Sequence, residues 1–130
     1  MIRIAASALA ALRAHCVRAR PEEACGLLVG AGDRIARAEP AENVAEDRLR
    51  RFEVDPRLLL RLHRELRGGP EQVLGVYHSH PQGQPEPSAT DLARALDREL
   101  VWLIVGADGA ARAWRIEDGR ARGIALMEGP

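Results

Sequence analysis

Gly75-Val76-Tyr77-His78-Ser79-His80-Pro81, followed after a six-residue loop by Ser88-Ala89-Thr90-Asp91, decides how this chain is read. Val73 to Tyr77 is a β-branched and aromatic run, so it predicts a strand ending near His80, where Pro81 breaks the ladder. Side chains two apart on a strand share a face. His78 and His80 therefore project together, and Ser79 points the other way. The loop from Gln82 to Pro87 turns the chain back, and Ser88 to Asp91 opens a helix that returns a carboxylate toward the imidazole pair. Two His and one Asp make three protein ligands, and a tetrahedral Zn²⁺ would keep its fourth position for water. That is the layout of a catalytic site, not of a closed structural one. Each half also has a plainer reading: His-x-His occurs on packed strands without metal, and Ser88-x-x-Asp91 is a capping box. The conjunction of the two halves favours the metal.

The same arrangement resembles the JAMM (MPN-domain) metalloproteases, whose signature joins a distant Glu to His-x-His-Pro and Ser-x-x-Asp. The upstream half is matched by Pro21-Glu22-Glu23-Ala24-Cys25-Gly26-Leu27-Leu28-Val29-Gly30, with Glu23 three residues before a small residue. Glu22 reads as a solvated loop charge. The resemblance spans nearly the full chain and implies one JAMM/MPN domain over residues 1–130. Its fold would be α/β and cytidine deaminase-like, a mixed curved sheet with a C-terminal antiparallel meander and two to three flanking helices. It also implies Zn²⁺ on His78, His80 and Asp91, with Glu23 moving the proton and Ser88 donating to a tetrahedral oxyanion. The expected activity is hydrolysis of the peptide or isopeptide bond after the Gly-Gly tail of a ubiquitin-like or sulfur-carrier β-grasp protein. The contrasting expectation is a non-catalytic MPN-type binding scaffold. Such scaffolds typically lack the ligand set, and here every position is filled.

The 130 residues suffice for one core. Nineteen basic and nineteen acidic side chains cancel, which argues against nucleic acid or a membrane surface as partner. All nineteen basic residues are Arg. Met1 to Arg20 carries four arginines and no long apolar run, so it matches neither a signal peptide nor a membrane span. Two cysteines cannot staple a domain of this size, and buried thiols in a reducing cytoplasm are expected.

In chain order, Ile2 and Ile4 predict an opening strand. Ala5, Leu9, Leu12 and Cys16 predict a helix over about 6–19, stopped by Pro21. Cys25–Val29 reads as a buried strand and 33–38 as its hairpin partner. Residues 39–50 read as loop, and Phe52–Val54 as a brief strand. Asp55-Pro56 starts a second helix with Leu59, Leu62 and Leu66 as its buried stripe, ended by Gly68-Gly69-Pro70. His63 falls off that stripe and is expected in solvent. Leu92, Ala95 and Leu96 give a third helix its inner face. Val101–Val105, Ala111–Ile116 and a last strand to about Met127 complete the chain. Nucleophilic catalysis would need Cys25 or Ser79, one set in an apolar strand and the other facing away from the imidazoles. A zinc nucleotide deaminase would need a Cys-x-x-Cys that the chain lacks.

Overall fold

The computed structural model describes residues 1–95 and 99–129. Three helices and eight strands follow in the order β1 (Ile2–Ile4), α1 (Ala6–Ala19), β2 (Cys25–Ala31), β3 (Arg34–Ala41), α2 (Pro56–Leu66), β4 (Gln72–Ser79), α3 (Ala89–Arg94), β5 (Val101–Val105), β6 (Ala111–Glu117), β7 (Arg120–Ile124) and β8 (Leu126–Glu128), counted among the described residues. The strands form one mixed sheet of order β7-β6-β5-β4-β2-β3-β1-β8. β5, β6 and β7 are the antiparallel meander expected from the sequence. One residue, Ala125, separates β7 at one edge from β8 at the other. A single residue spans under about 4 Å, so the sheet must curl until its edges nearly meet.

β2 and β5 are apolar throughout because both faces are covered. On one face, α1 buries Leu9, Leu12 and Cys16 against Ile4, Leu28, Tyr77 and Leu103. On the other, Leu58 and Leu62 of α2 pack with Leu27, Val76 and Trp102, and Leu92 of α3 joins them. β2 and β4 show the alternation: Leu27 and Val76 face α2, whereas Leu28 and Tyr77 face α1.

Several local expectations need correction. Leu58, not Leu59, is the inner residue of the first turn of α2; Leu59 is 39% exposed and Leu66 is half-buried. Phe52–Val54 is no strand but loop with one bridge, Asn43 to Val54. β3 runs on to Ala41 through Pro40, which pairs with Gly26. Its other neighbour, β1, pairs only with Arg34 and Ile35, so the missing N–H of Pro40 breaks no ladder there. The expected last strand divides into β7 and β8, the latter parallel to β1. Leu96 lies outside the described residues.

β2 and β4 approach so closely that Gly26 has room for no side chain. A Cβ there would collide with the ring of Tyr77, its cross-strand partner, and with the Glu39 carbonyl. The Tyr77 ring is also held at its far end, where its hydroxyl meets His15 Nδ1 at 2.6 Å. Gly26→Ala is therefore expected to destabilise the fold by ~1–3 kcal/mol, the usual overpacking penalty. Chemical denaturation checks this, with Gly32→Ala a poor control because Gly32 has positive φ (59°).

Candidate metal centre

β4 ends in the middle of the sheet, between antiparallel β2 and parallel β5. Open α/β sheets place their ligands beyond such strand ends. His78 shares a face with Val76 and is fully buried. Phe52 stacks on its ring at 4.1 Å between centroids, and Trp102 meets it edge-on at 5.6 Å. His80 follows on the same face. Its backbone is tied to Val105 by a 2.8 Å hydrogen bond, and its Nδ1 donates to the Gln84 carbonyl at 2.9 Å. The strand and the loop behind it thus fix both rings.

Asp91 comes from α3, and the capping box that could have been its whole purpose is present. The Ser88 hydroxyl accepts from Asp91 N–H at 3.1 Å, and Ser88 N–H donates to Asp91 Oδ2 at 2.9 Å. That same Oδ2 lies 3.1 Å from His78 Nε2 and 3.2 Å from His80 Nε2, and the two Nε2 atoms are 3.1 Å apart. The box aims the carboxylate at the imidazoles.

Protons alone leave this triangle awkward. With Nδ1 of His80 donating to Gln84, a neutral ring keeps its lone pair on Nε2, facing a carboxylate oxygen. Acceptor against acceptor needs a cation between, either an extra proton or a metal ion. A tetrahedral ion with bonds of about 2.0–2.1 Å would set its ligand atoms roughly 3.3 Å apart. The observed 3.1–3.2 Å spacings fit that geometry. Burial disfavours charge on Asp91, but its close contacts with both imidazoles and the hydrogen bond from Ser88 N–H outweigh it and hold the carboxyl well below the usual range. Burial likewise pushes His78 down, keeping the ring neutral as a metal ligand must be.

Glu23 reaches the cluster through register. Cys25 pairs with His78, and one step outward Ala24 and Ser79 exchange two hydrogen bonds: Ser79 N–H to the Ala24 carbonyl at 3.1 Å, and Ala24 N–H to Ser79 Oγ at 2.9 Å. Glu23 then falls opposite His80 and on its face. Ligand atoms of Glu23, His78 and His80 lie within 4.8 Å of one another. Burial pushes the Glu23 carboxyl up to about 7, with His80 pulling down and Asp91 and Asp47 pushing up. Its Oε1 is buried without a hydrogen-bond partner among the described residues.

The clamp on Glu23 is a part the sequence showed only faintly. Asn43 Nδ2 donates to the carbonyls of Glu23 (3.0 Å) and Arg51 (3.1 Å), while its Oδ1 accepts from Ala45 and Glu53 N–H, both at 3.1 Å. Arg48 accepts from Glu23 N–H at 2.8 Å. Asn43 stands out in sequence only by resembling a position often Asn in JAMM proteins. Phe52 was expected only as part of a brief strand, and nothing in that reading set its ring against His78. Glu22, by contrast, points outward and is half-exposed.

Neither alternative nucleophile is prepared. Cys25 is fully buried, and burial followed by the nearby Glu23 charge pushes its thiol up to about 12. Ser79 faces away, as expected, and its oxygen is occupied by Ala24.

Residues 5–117 match the family model described as prokaryotic homologs of the JAB domain. The chain belongs to this JAB (JAMM) family. A desampylase from Haloferax volcanii is 34% identical over 110 residues, covering 82% of this chain and 79% of that protein. A CysO-cysteine peptidase from Mycobacterium tuberculosis is 32% identical over 122 residues, covering 89% of this chain and 83% of that protein. The solved structure of protein DSY2949 from Desulfitobacterium hafniense superposes with a TM-score of 0.88 at 29% identity, covering 99% of this chain and 93% of that one. The matched span contains Glu23, His78-x-His80 and Ser88-x-x-Asp91.

Proposed function

We propose that the protein is a zinc-dependent hydrolase that cuts the peptide or isopeptide bond after the Gly-Gly tail of a ubiquitin-like or sulfur-carrier β-grasp protein. The observation that carries the reading is the convergence of His78, His80 and Asp91 to 3.1–3.2 Å beside an independently anchored Glu23. His78, His80 and Asp91 hold the ion in this reading, and Glu23 stays out of the ligand set. When bound, the ion would supply Lewis acidity, lowering a water's pKa toward ~7 and polarising the scissile carbonyl. Glu23 takes a proton from the attacking water and delivers it to the departing nitrogen, which its raised, desolvated carboxyl suits. The Ser88 oxygen accepts from Asp91 N–H, which leaves its own proton to donate to the developing oxyanion. Its cap role and its catalytic role are thus compatible. The names of the two relatives, a desampylase and a CysO-cysteine peptidase, support the carrier-conjugate class. Two buried free thiols, Cys16 and Cys25, support a reducing cytoplasm as its compartment. No helix among the described residues is long and apolar enough to cross a membrane.

Matched β-grasp conjugates ending in Gly-Gly or Ala-Ala test the reading. A backbone passing between the loop before Ser88 and the cluster must come close enough for its carbonyl to reach the ion, which favours residues without Cβ. The Gly-Gly conjugates are expected to be cut at that bond, and the Ala-Ala ones to resist. Equal cleavage of both tails would refute the close approach, and a protein inert on every conjugate would favour the binding-scaffold alternative.

A further inference from the structure

Two hollows flank the cluster, and their linings differ in charge. The larger, about 310 Å³, has Asp91 at its border, an apolar floor including Leu27 and Trp102, and Arg51, Glu53 and Arg94 on its walls, so its charges balance. The smaller, about 190 Å³, is lined by Glu23, His80 and Ser88 together with Pro21, Leu49 and Pro81. Glu23 borders only the smaller one. A proton delivered by Glu23 must go to a nitrogen within its reach, so the departing amine belongs in the smaller cleft. The acyl side, with the carrier tail, then occupies the larger.

We propose, resting on the hydrolase reading above, that the smaller cleft selects against a carboxylate beside the scissile nitrogen. The enzyme therefore releases lysine side chains in preference to free amino acids. An α-linked amino acid carries its carboxylate one carbon from the departing nitrogen. In this cleft that carboxylate would lose water and face the Glu23 carboxylate, with the neutral amide of Gln82 but no arginine among the described lining residues to offset the repulsion. A lysine ε-nitrogen arrives instead on a stem of methylenes. Pro21, Leu49 and Pro81 offer that stem apolar walls, and its main-chain groups remain outside as uncharged amides. The reaction is the same in either case. The C–N bond breaks, a C–O bond to water forms, and the water's proton passes by way of Glu23 to the nitrogen.

The test uses one β-grasp carrier ending in Gly-Gly, joined to a lysine side chain within a peptide, to the α-nitrogen of free cysteine, or to cysteinamide. On zinc-loaded enzyme, kcat/KM is expected to be at least about tenfold higher for the lysine and cysteinamide conjugates than for the free cysteine one. Dissociation constants measured on chelated protein should follow the same order, because attraction of the carboxylate to the ion is then absent. Leu49 is 58% exposed and tolerates a long side chain. Leu49→Arg should narrow the gap by about threefold or more through faster cleavage of the free cysteine conjugate. Cleavage of that conjugate as fast as the amide by the unaltered enzyme overturns the proposal, as does a gap unchanged in Leu49→Arg. Failure to cut any conjugate refutes the hydrolase reading, and this proposal with it.

Discussion

Glu23→Gln is expected to lower kcat by about 10²–10⁴-fold while leaving bound zinc and the melting temperature unchanged. The substitution is nearly isosteric, and the hydrogen bonds that place residue 23 are made by its backbone, to Asn43 and Arg48, so the residue stays in position. It removes only the capacity to take and return a proton. Oε1 has no hydrogen-bond partner among the described residues, so the amide costs no existing contact there. Glu22→Gln is the matched control. Among the described residues its carboxylate reaches only Arg48, at 4.0 Å, and it is half-exposed, so a change within about a factor of two is expected. Steady-state kinetics with metal analysis on both variants decides the point. If Glu22→Gln proved the inactive one, the register deduced from the Cys25–His78 pairing would be wrong by one residue.

The second large effect concerns the ion. His78→Ala and His80→Ala should each weaken zinc binding by more than about 100-fold, since loss of an outer partner of a ligand alone costs ~10–100-fold. The two should differ in stability. His78 is fully buried between Phe52 and Trp102, so its removal leaves a cavity as well as an unmatched Asp91. His80 lies at the cleft, and its loss should spare the fold more. Zinc retained equally well after both substitutions would sink the ligand assignment.

How much of this was visible in the chain depends on the kind of signal each residue carries. His78, His80 and Asp91 were legible because strand period and a capping box are local rules, and both hold. The placement of Glu23 was not local. It depends on the β2–β4 register, which Gly26 permits by letting Tyr77 lie across it, and only resemblance to a family supplied it beforehand. Leu59 was misjudged because Leu58, Leu59 and Leu60 are consecutive, and a run of three leucines does not say which one faces inward. Phe52–Val54 has strand composition, yet the Asn43 clamp holds it as loop, a tertiary override of propensity. β8 crosses to the far edge through one residue, which no short-range pattern encodes.

Titration of zinc into chelated protein, with hydrolysis of a Gly-Gly carrier conjugate followed in the same samples, tests the central claim most directly. Turnover is expected to rise linearly with bound zinc and to saturate at about one equivalent, as a single site of three ligands with an open fourth position requires. The carrier product should have a mass ending at the second glycine. Full turnover in the chelated protein, or zinc bound at one equivalent with no hydrolysis of any Gly-Gly conjugate, would contradict that claim.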